Sequence, residues 1–232
     1  MTHPILQLFS AKTNSIHAHG TSLNLLLQTE LAATMGNKEL KEHIDYIVKR
    51  LPSCYMQPSG DSPLQSFFIS QAFVSLISEF ETFLVDVMSI IIRKFPLKLG
   101  AETFKLSEIL EFANMDEIAR VAAERHINSI MYKKANEYRK SLADILSAEA
   151  TFLEMEWPKY VESKARRDLG VHNGWLVNET YLRKVSEAGM ESTIQGSAVP
   201  SNDYFWACLD LISELMGKIT RHAIVKFPDI NT

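Results

Sequence analysis

Cysteine is nearly missing from this 232-residue chain. Cys54 and Cys208 stand far apart, with no C-x-x-C pair and no ladder of histidines beside them, so neither a disulfide framework nor a zinc knuckle is expected. Cys208 lies in an apolar helical run and reads as a small buried hydrophobe, whereas Cys54 falls in a loop-like stretch. Glycine and proline are also sparse, at nine and eight residues, which excludes fibrous and low-complexity chains. An excess of positive charge is lacking too. The formal net charge is −4, so any hold on nucleic acid has to come from a local basic patch.

Long uncharged apolar runs do not occur. The most apolar stretch, Phe67 to Ile92, carries Glu79, Glu81 and Asp86 near its middle. Each such charge costs roughly 2.5–3.5 kcal/mol at a bilayer centre, so no membrane span is expected. The first ten residues lack the basic and apolar regions of a secretory signal. The expectation is a cytoplasmic protein with no membrane partner. Strand alternation and hairpin dipeptides flanked by apolar runs are absent, as are the phosphate-loop, dinucleotide, nucleophile-elbow and zinc-protease signatures. No cofactor is expected. His17 and His19 beside Gly20 could bind a metal or form an exposed polar turn, and no metal site is assigned to them.

What is present is helical. Ser22 to Met35 and Lys38 to Leu51 read as two helices broken by Gly36-Asn37, and Pro52 to Pro63 reads as a linker. This divides the chain into an N-terminal helical hairpin or extension, residues 1–60, and a main body, residues 61–232. In Phe67–Ile92 the polar positions Gln71, Ser75, Ser78, Thr82, Asp86, Ser89 and Arg93 step by three or four. Such a narrow polar stripe predicts a helix covered by neighbours on most of its circumference, stopped by Pro96. Asn114 to Leu146 reads as one long helix with an interruption near Arg125-His126. Thr151 to Val171 reads as another, with Pro158 kinking it or marking its true start. A short element follows around Tyr181-Leu182, then a loop from Ala188 to Asn202 and a final helix to about Phe227. The fold class expected is an all-α, irregular helical bundle.

The stretch from Glu162 to Gly174 differs in kind from the rest. Asp168 and His172 are four residues apart and share one helix face. Arg167 lies about 140° round from His172 but has the reach to approach the same surface. A carboxylate able to orient an imidazole would thus lie beside a permanent cation able to hold a phosphate. Gly174 is placed to end the helix in a left-handed cap. Lys159, Lys164, Arg166, Arg183 and Lys184 make this the most basic neighbourhood of an acidic chain. Blander roles stay open: Arg167 could pair with Glu162 or Asp168, His172 could merely cap a helix end, Trp175 could pack there or stack on a base, and Glu81 could fix a buried hydrogen-bond network.

The segment Arg167-Asp168-Leu169-Gly170-Val171-His172 resembles the R-polar-x-x-x-H motif of HEPN domains. The continuation Asn173-Gly174-Trp175-Leu176-Val177-Asn178 with Tyr181-Leu182 is similar to sequence that follows that motif, and Ser78 to Leu84 resembles the family's acidic-aromatic core helix. Arg120 to His126 has a similar spacing, but an apolar Val121 follows its arginine and no His-Asn-Gly exit appears. The resemblance covers about Leu64 to Tyr181. It implies a HEPN-like helical bundle, a homodimer with a composite active site, and metal-independent endoribonuclease activity of the kind found in toxins and phage defence. RNA would be the substrate, and an antitoxin or regulatory protein a further partner. Arg167, Asp168 and His172 would be catalytic, and Lys164, Arg166, Asn173, Arg183 and Lys184 would bind substrate. The alternative implied by other members is a non-catalytic RNA- or protein-binding scaffold.

Overall fold

Helix-compatible periodicity without strand signals gives helices throughout. The computed structural model describes residues 3–56, 61–99 and 103–230. Among these it contains nine α-helices, two short 3-10 turns and no β-strand, apart from one isolated antiparallel bridge between Leu176 and Ser197. The all-α class expected from sequence is correct.

The helices are α1 (Pro4–Thr34), α2 (Lys38–Val48), α3 (Pro63–Lys94), α4 (Leu106–Ile109), α5 (Met115–Met131), α6 (Ala135–Leu146), α7 (Trp157–Asn173), α8 (Glu179–Glu187) and α9 (Asn202–Lys226). Their packing defines two compact units. The first comprises Met1–Ala11, Glu81–Trp157 and Leu215–Thr232, and the second Lys12–Phe80 and Pro158–Glu214. Residues 12–80, on both sides of the boundary expected at residue 60, fall within one of these units. Residues 57–60 of the expected linker lie outside the described residues.

The striped helix is α3. Phe73, Leu76, Ile77, Phe80, Phe83, Leu84, Val87, Met88 and Ile91 are all fully buried, while none of the seven polar stripe positions is. Burial on most sides, with one wetted edge, is what the spacing predicts. Pro63 opens the helix where a missing amide proton costs nothing.

α1 is far longer than the helix expected from Ser22. Ile5, Ile16 and Leu23 are buried along it, and Gly20 is tolerated inside it because the Trp206 ring would meet an added Cβ at 3.0 Å. The break expected near Arg125-His126 falls instead at residues 132–134, between α5 and α6. Arg125 stays helical, bonded to Glu108 at 3.2 Å with its guanidinium over Phe104. α7 starts at Trp157, so Pro158 sits in the first turn, where it needs no amide donor.

In the first unit a buried cation shapes the entry to α7. Arg139 Nη1 donates to the carbonyls of Ala150 and Phe152 at 2.5 and 3.0 Å, around Leu153 in a left-handed conformation at φ 61°. Trp157 Nε1 donates to the Ala135 carbonyl at 2.9 Å, and its ring meets Tyr138 edge-on. In the second unit Ala165, Leu169, Tyr181, Val185 and Ala198 form a buried cluster, with Val177, Met190 and Ile194 packed against it. The loop after α8 therefore covers α7, which carries the motif. No helix among the described residues is long and apolar enough to cross a membrane.

Phe80, fully buried and edge-on to Tyr160 with ring centroids 4.9 Å apart, tests the importance of α3. Phe80→Ala is expected to lower stability by about 3–5 kcal/mol in urea unfolding. A loss under about 1 kcal/mol would show that α3 does not bear the core.

Candidate functional site around the exit of helix α7

The motif helix alternates between residues that fasten it and residues it presents. Glu162 and Arg166, one turn apart, are both buried. The Glu162 carboxylate accepts from Arg166 Nε at 2.8 Å and from the Tyr181 hydroxyl at 2.7 Å on one oxygen, and from the Tyr204 hydroxyl on the other. The Arg166 guanidinium also lies 3.8 Å from the Tyr204 ring centre. Ser163 Oγ is 3.0 Å from the same tyrosine hydroxyl. A charge taken out of water survives only when paired and hydrogen-bonded, and this one is both. Burial first, then the Glu162 charge, pushes the Tyr204 hydroxyl well above its ordinary range, and Tyr181 moves the same way. Both therefore stay protonated and can donate. Arg166, expected to bind substrate, is here a fastening of α7 that is not presented to solvent.

Arg167 is half-buried. Its side chain is 17% exposed, and its Nε lies 3.5 Å from Asp168 Oδ1. The other Asp168 oxygen accepts from Lys184 Nζ at 2.9 Å. Asp168 thus links Arg167 of α7 to Lys184 of α8, and among the described residues it forms no hydrogen bond or ion pair with His172. The orienting role expected for this carboxylate toward the imidazole is replaced by one toward the two cations. Lys184 remains partly open to water, Lys164 is half-buried, and Lys159 and Arg183 are exposed.

His172, in the last turn of α7, is exposed and forms no hydrogen bond or ion pair among the described residues. What holds it is backbone. Gly174 takes the left-handed cap expected of it at φ 55°, and Trp175 repeats that conformation at φ 66°. The Trp175 amide donates back to the Leu169 carbonyl at 3.1 Å, its carbonyl accepts from Ala198 at 2.7 Å, and its indole Nε1 donates to the Tyr55 hydroxyl at 3.2 Å. Asn173 Nδ2 closes the turn onto the Leu176 carbonyl at 2.7 Å, so one of its polar groups is occupied within the chain. Trp175 is 2% exposed, which excludes the base-stacking role and leaves the packing one.

Sequence reasoning missed Tyr55 and Tyr204. They come from distant elements and carry no local signal, whereas the Glu162–Arg166 spacing itself was visible and only its burial was not. Of the other candidates, Arg120 of the second Arg–His pair is ion-paired with Glu124 at 2.7 Å. It borders a cavity of about 330 Å³ with Ile92, Arg93, Leu99 and Asp116 that contains no motif residue. His17 is exposed on α1, and among the described residues no three His, Cys, Asp or Glu side chains gather as around a metal ion.

No protein-family model, curated protein or solved structure matches this chain. The site therefore has to be read from its own chemistry.

Two outcomes follow from the buried cluster. Glu162→Ala is expected to destabilise by about 3–5 kcal/mol, because it leaves the Arg166 charge buried alone, while a Glu162→Leu, Arg166→Leu double variant loses much less. Equal losses in chemical denaturation would refute the pairing. The Cys208 thiol, beside this cluster, is pushed up to about 12 by burial, with the Glu162 charge adding to the effect. At pH 8 almost none of it is thiolate, so a thiol-specific disulfide reagent should label at most Cys54 in native protein and both cysteines once denatured. Rapid native labelling of both would contradict this burial.

Proposed function

We propose that the protein is a metal-independent endoribonuclease of HEPN type. The observation that carries the reading is the exposed, unbonded imidazole of His172, one turn beyond an Arg167–Asp168 pair at the most basic part of an acidic chain. In this mechanism His172 takes the proton from a ribose 2′-hydroxyl, and the 2′-oxygen attacks the adjacent phosphorus. The bond from phosphorus to the 5′-oxygen breaks, and the leaving oxygen receives a proton from a second imidazole. The products carry a 2′,3′-cyclic phosphate and a 5′-hydroxyl. Arg167 binds the scissile phosphate and stabilises the charge growing on its oxygens. Asp168 keeps the guanidinium in place until RNA displaces or shares it.

One chain supplies one such imidazole and one such guanidinium. A second copy of the chain, facing the first, would bring another pair and concentrate positive charge on a molecule whose net charge is −4. Lys159, Lys164, Arg183 and Lys184 would then line the path of the phosphate backbone. Action as a toxin or defence effector, held in check by a partner protein, would follow from such an activity.

A second reading, a non-catalytic RNA- or protein-binding module, is favoured by one specific observation: the Asp168 carboxylate pairs with Arg167 and Lys184 and not with the imidazole.

End-labelled RNA incubated with the purified protein in excess EDTA separates the two. Cleavage with cyclic phosphate ends is expected, falling by about 10²-fold or more in His172→Ala and in Arg167→Ala, with the matching DNA uncut. Cleavage that survives in His172→Ala, or RNA binding with no cleavage at all, would refute the enzyme.

A further inference from the structure

His172 has no side-chain partner to fix it, yet general acid–base chemistry needs its ring held within a fraction of an ångström. The structure offers one device for this, and it lies three residues downstream. Trp175 is not glycine, but it is held in the left-handed region at φ 66° directly after Gly174 at 55°. Tolerating that conformation in a bulky residue requires surroundings that over-determine it.

Those surroundings are present. The indole folds back onto the backbone of α7 at Gly170, so closely that an added Cβ there would lie 2.6 Å from Cε2 and against two further ring atoms. Its Nε1 is tethered to Tyr55, its ring centre is 6.1 Å from that of Phe73, and its amide and carbonyl are both bonded. In sequence His172 stands between these two contact points, in the last turn of α7.

We propose that Trp175, seated on Gly170 and tethered to Tyr55, is the positioning residue that fixes the backbone at the end of α7 and with it the direction in which the His172 side chain leaves the helix. The proposal rests on the reading of His172 as the proton-transferring group, but its geometry can be tested apart from that reading. The ring atoms that an added methyl would meet at position 170 belong to the six-membered ring of the indole. Phenylalanine at 175 removes that bulk, so the clash and its relief are separable. Tyr55→Phe removes the tether alone.

The test compares wild type with Gly170→Ala, Tyr55→Phe, a Gly170→Ala, Trp175→Phe double variant, and Ile212→Val as a control. Ile212 is a fully buried residue of α9 outside this arrangement. The first readout is the NMR signal of the His172 ring, identified by its loss in His172→Ala. It is expected to be single and sharp in wild type, shifted and broadened in Gly170→Ala and to a lesser degree in Tyr55→Phe, partly restored in the double variant, and unmoved in Ile212→Val. The second readout is RNA cleavage, where Gly170→Ala should lower kcat by about 10²-fold with KM little changed, and the double variant should recover part of it.

Should Gly170→Ala fail to fold, Tyr55→Phe and the double variant carry the test. An unmoved ring signal in Tyr55→Phe and in every folded Gly170 variant overturns the positioning role. So does a control that shifts the signal as much as they do. If wild type cuts no RNA while the ring signals behave as stated, the positioning stands and the nuclease reading falls.

Discussion

A carboxylate can be taken out of water only if enough donors meet it, and Glu162 collects donors from three directions along the chain. Arg166 comes from the next turn of its own helix, Tyr181 from α8, and Tyr204 from α9. None of these bonds would be worth much on a wet surface, where such pairs contribute little. Buried, they are obligatory, since losing any one leaves a polar group stranded. The consequence is rotational. With Glu162 and Arg166 turned inward, α7 can present only its remaining faces, and those carry Arg167, Asp168 and His172.

How much of this was legible beforehand depended on whether the deciding contact was local. The α3 stripe is a pattern within one helix, so its burial followed from spacing, and the cap at Gly174 followed from a backbone need that only a few residues meet. The length of α1 was not legible. Gly20 lies inside it, and Trp206, far along the chain, occupies the space where a side chain would go. The same holds for Arg166. Its basic character suggested a surface role, and only the arrival of Tyr181 and Tyr204 turns it into an interior ion pair.

The motif region shows a subtler version. Asp168 and His172 share a face by helical arithmetic, which suggested a carboxylate steering an imidazole. Lys184 arrives on α8 at 2.9 Å and competes for the same carboxylate, with full charge and a flexible stem. Spacing identifies which residues can meet, but packing of the next helix decides which do. The imidazole is then left to the backbone, whose path through Asn173, Gly174 and Trp175 is held by the Asn173 side chain and carbonyl and by the Trp175 amide and carbonyl.

Arg139 and Glu162 fasten the chain in opposite ways. The Arg139 guanidinium holds the carbonyls of Ala150 and Phe152, acceptors that every residue carries, so side-chain changes at those two positions leave the bonds in place. The Glu162 carboxylate is met by three side chains, Arg166, Tyr181 and Tyr204, and a single substitution can remove any one of them. Of the two fastenings, the anchor of the motif helix is thus the one that sequence drift can undo.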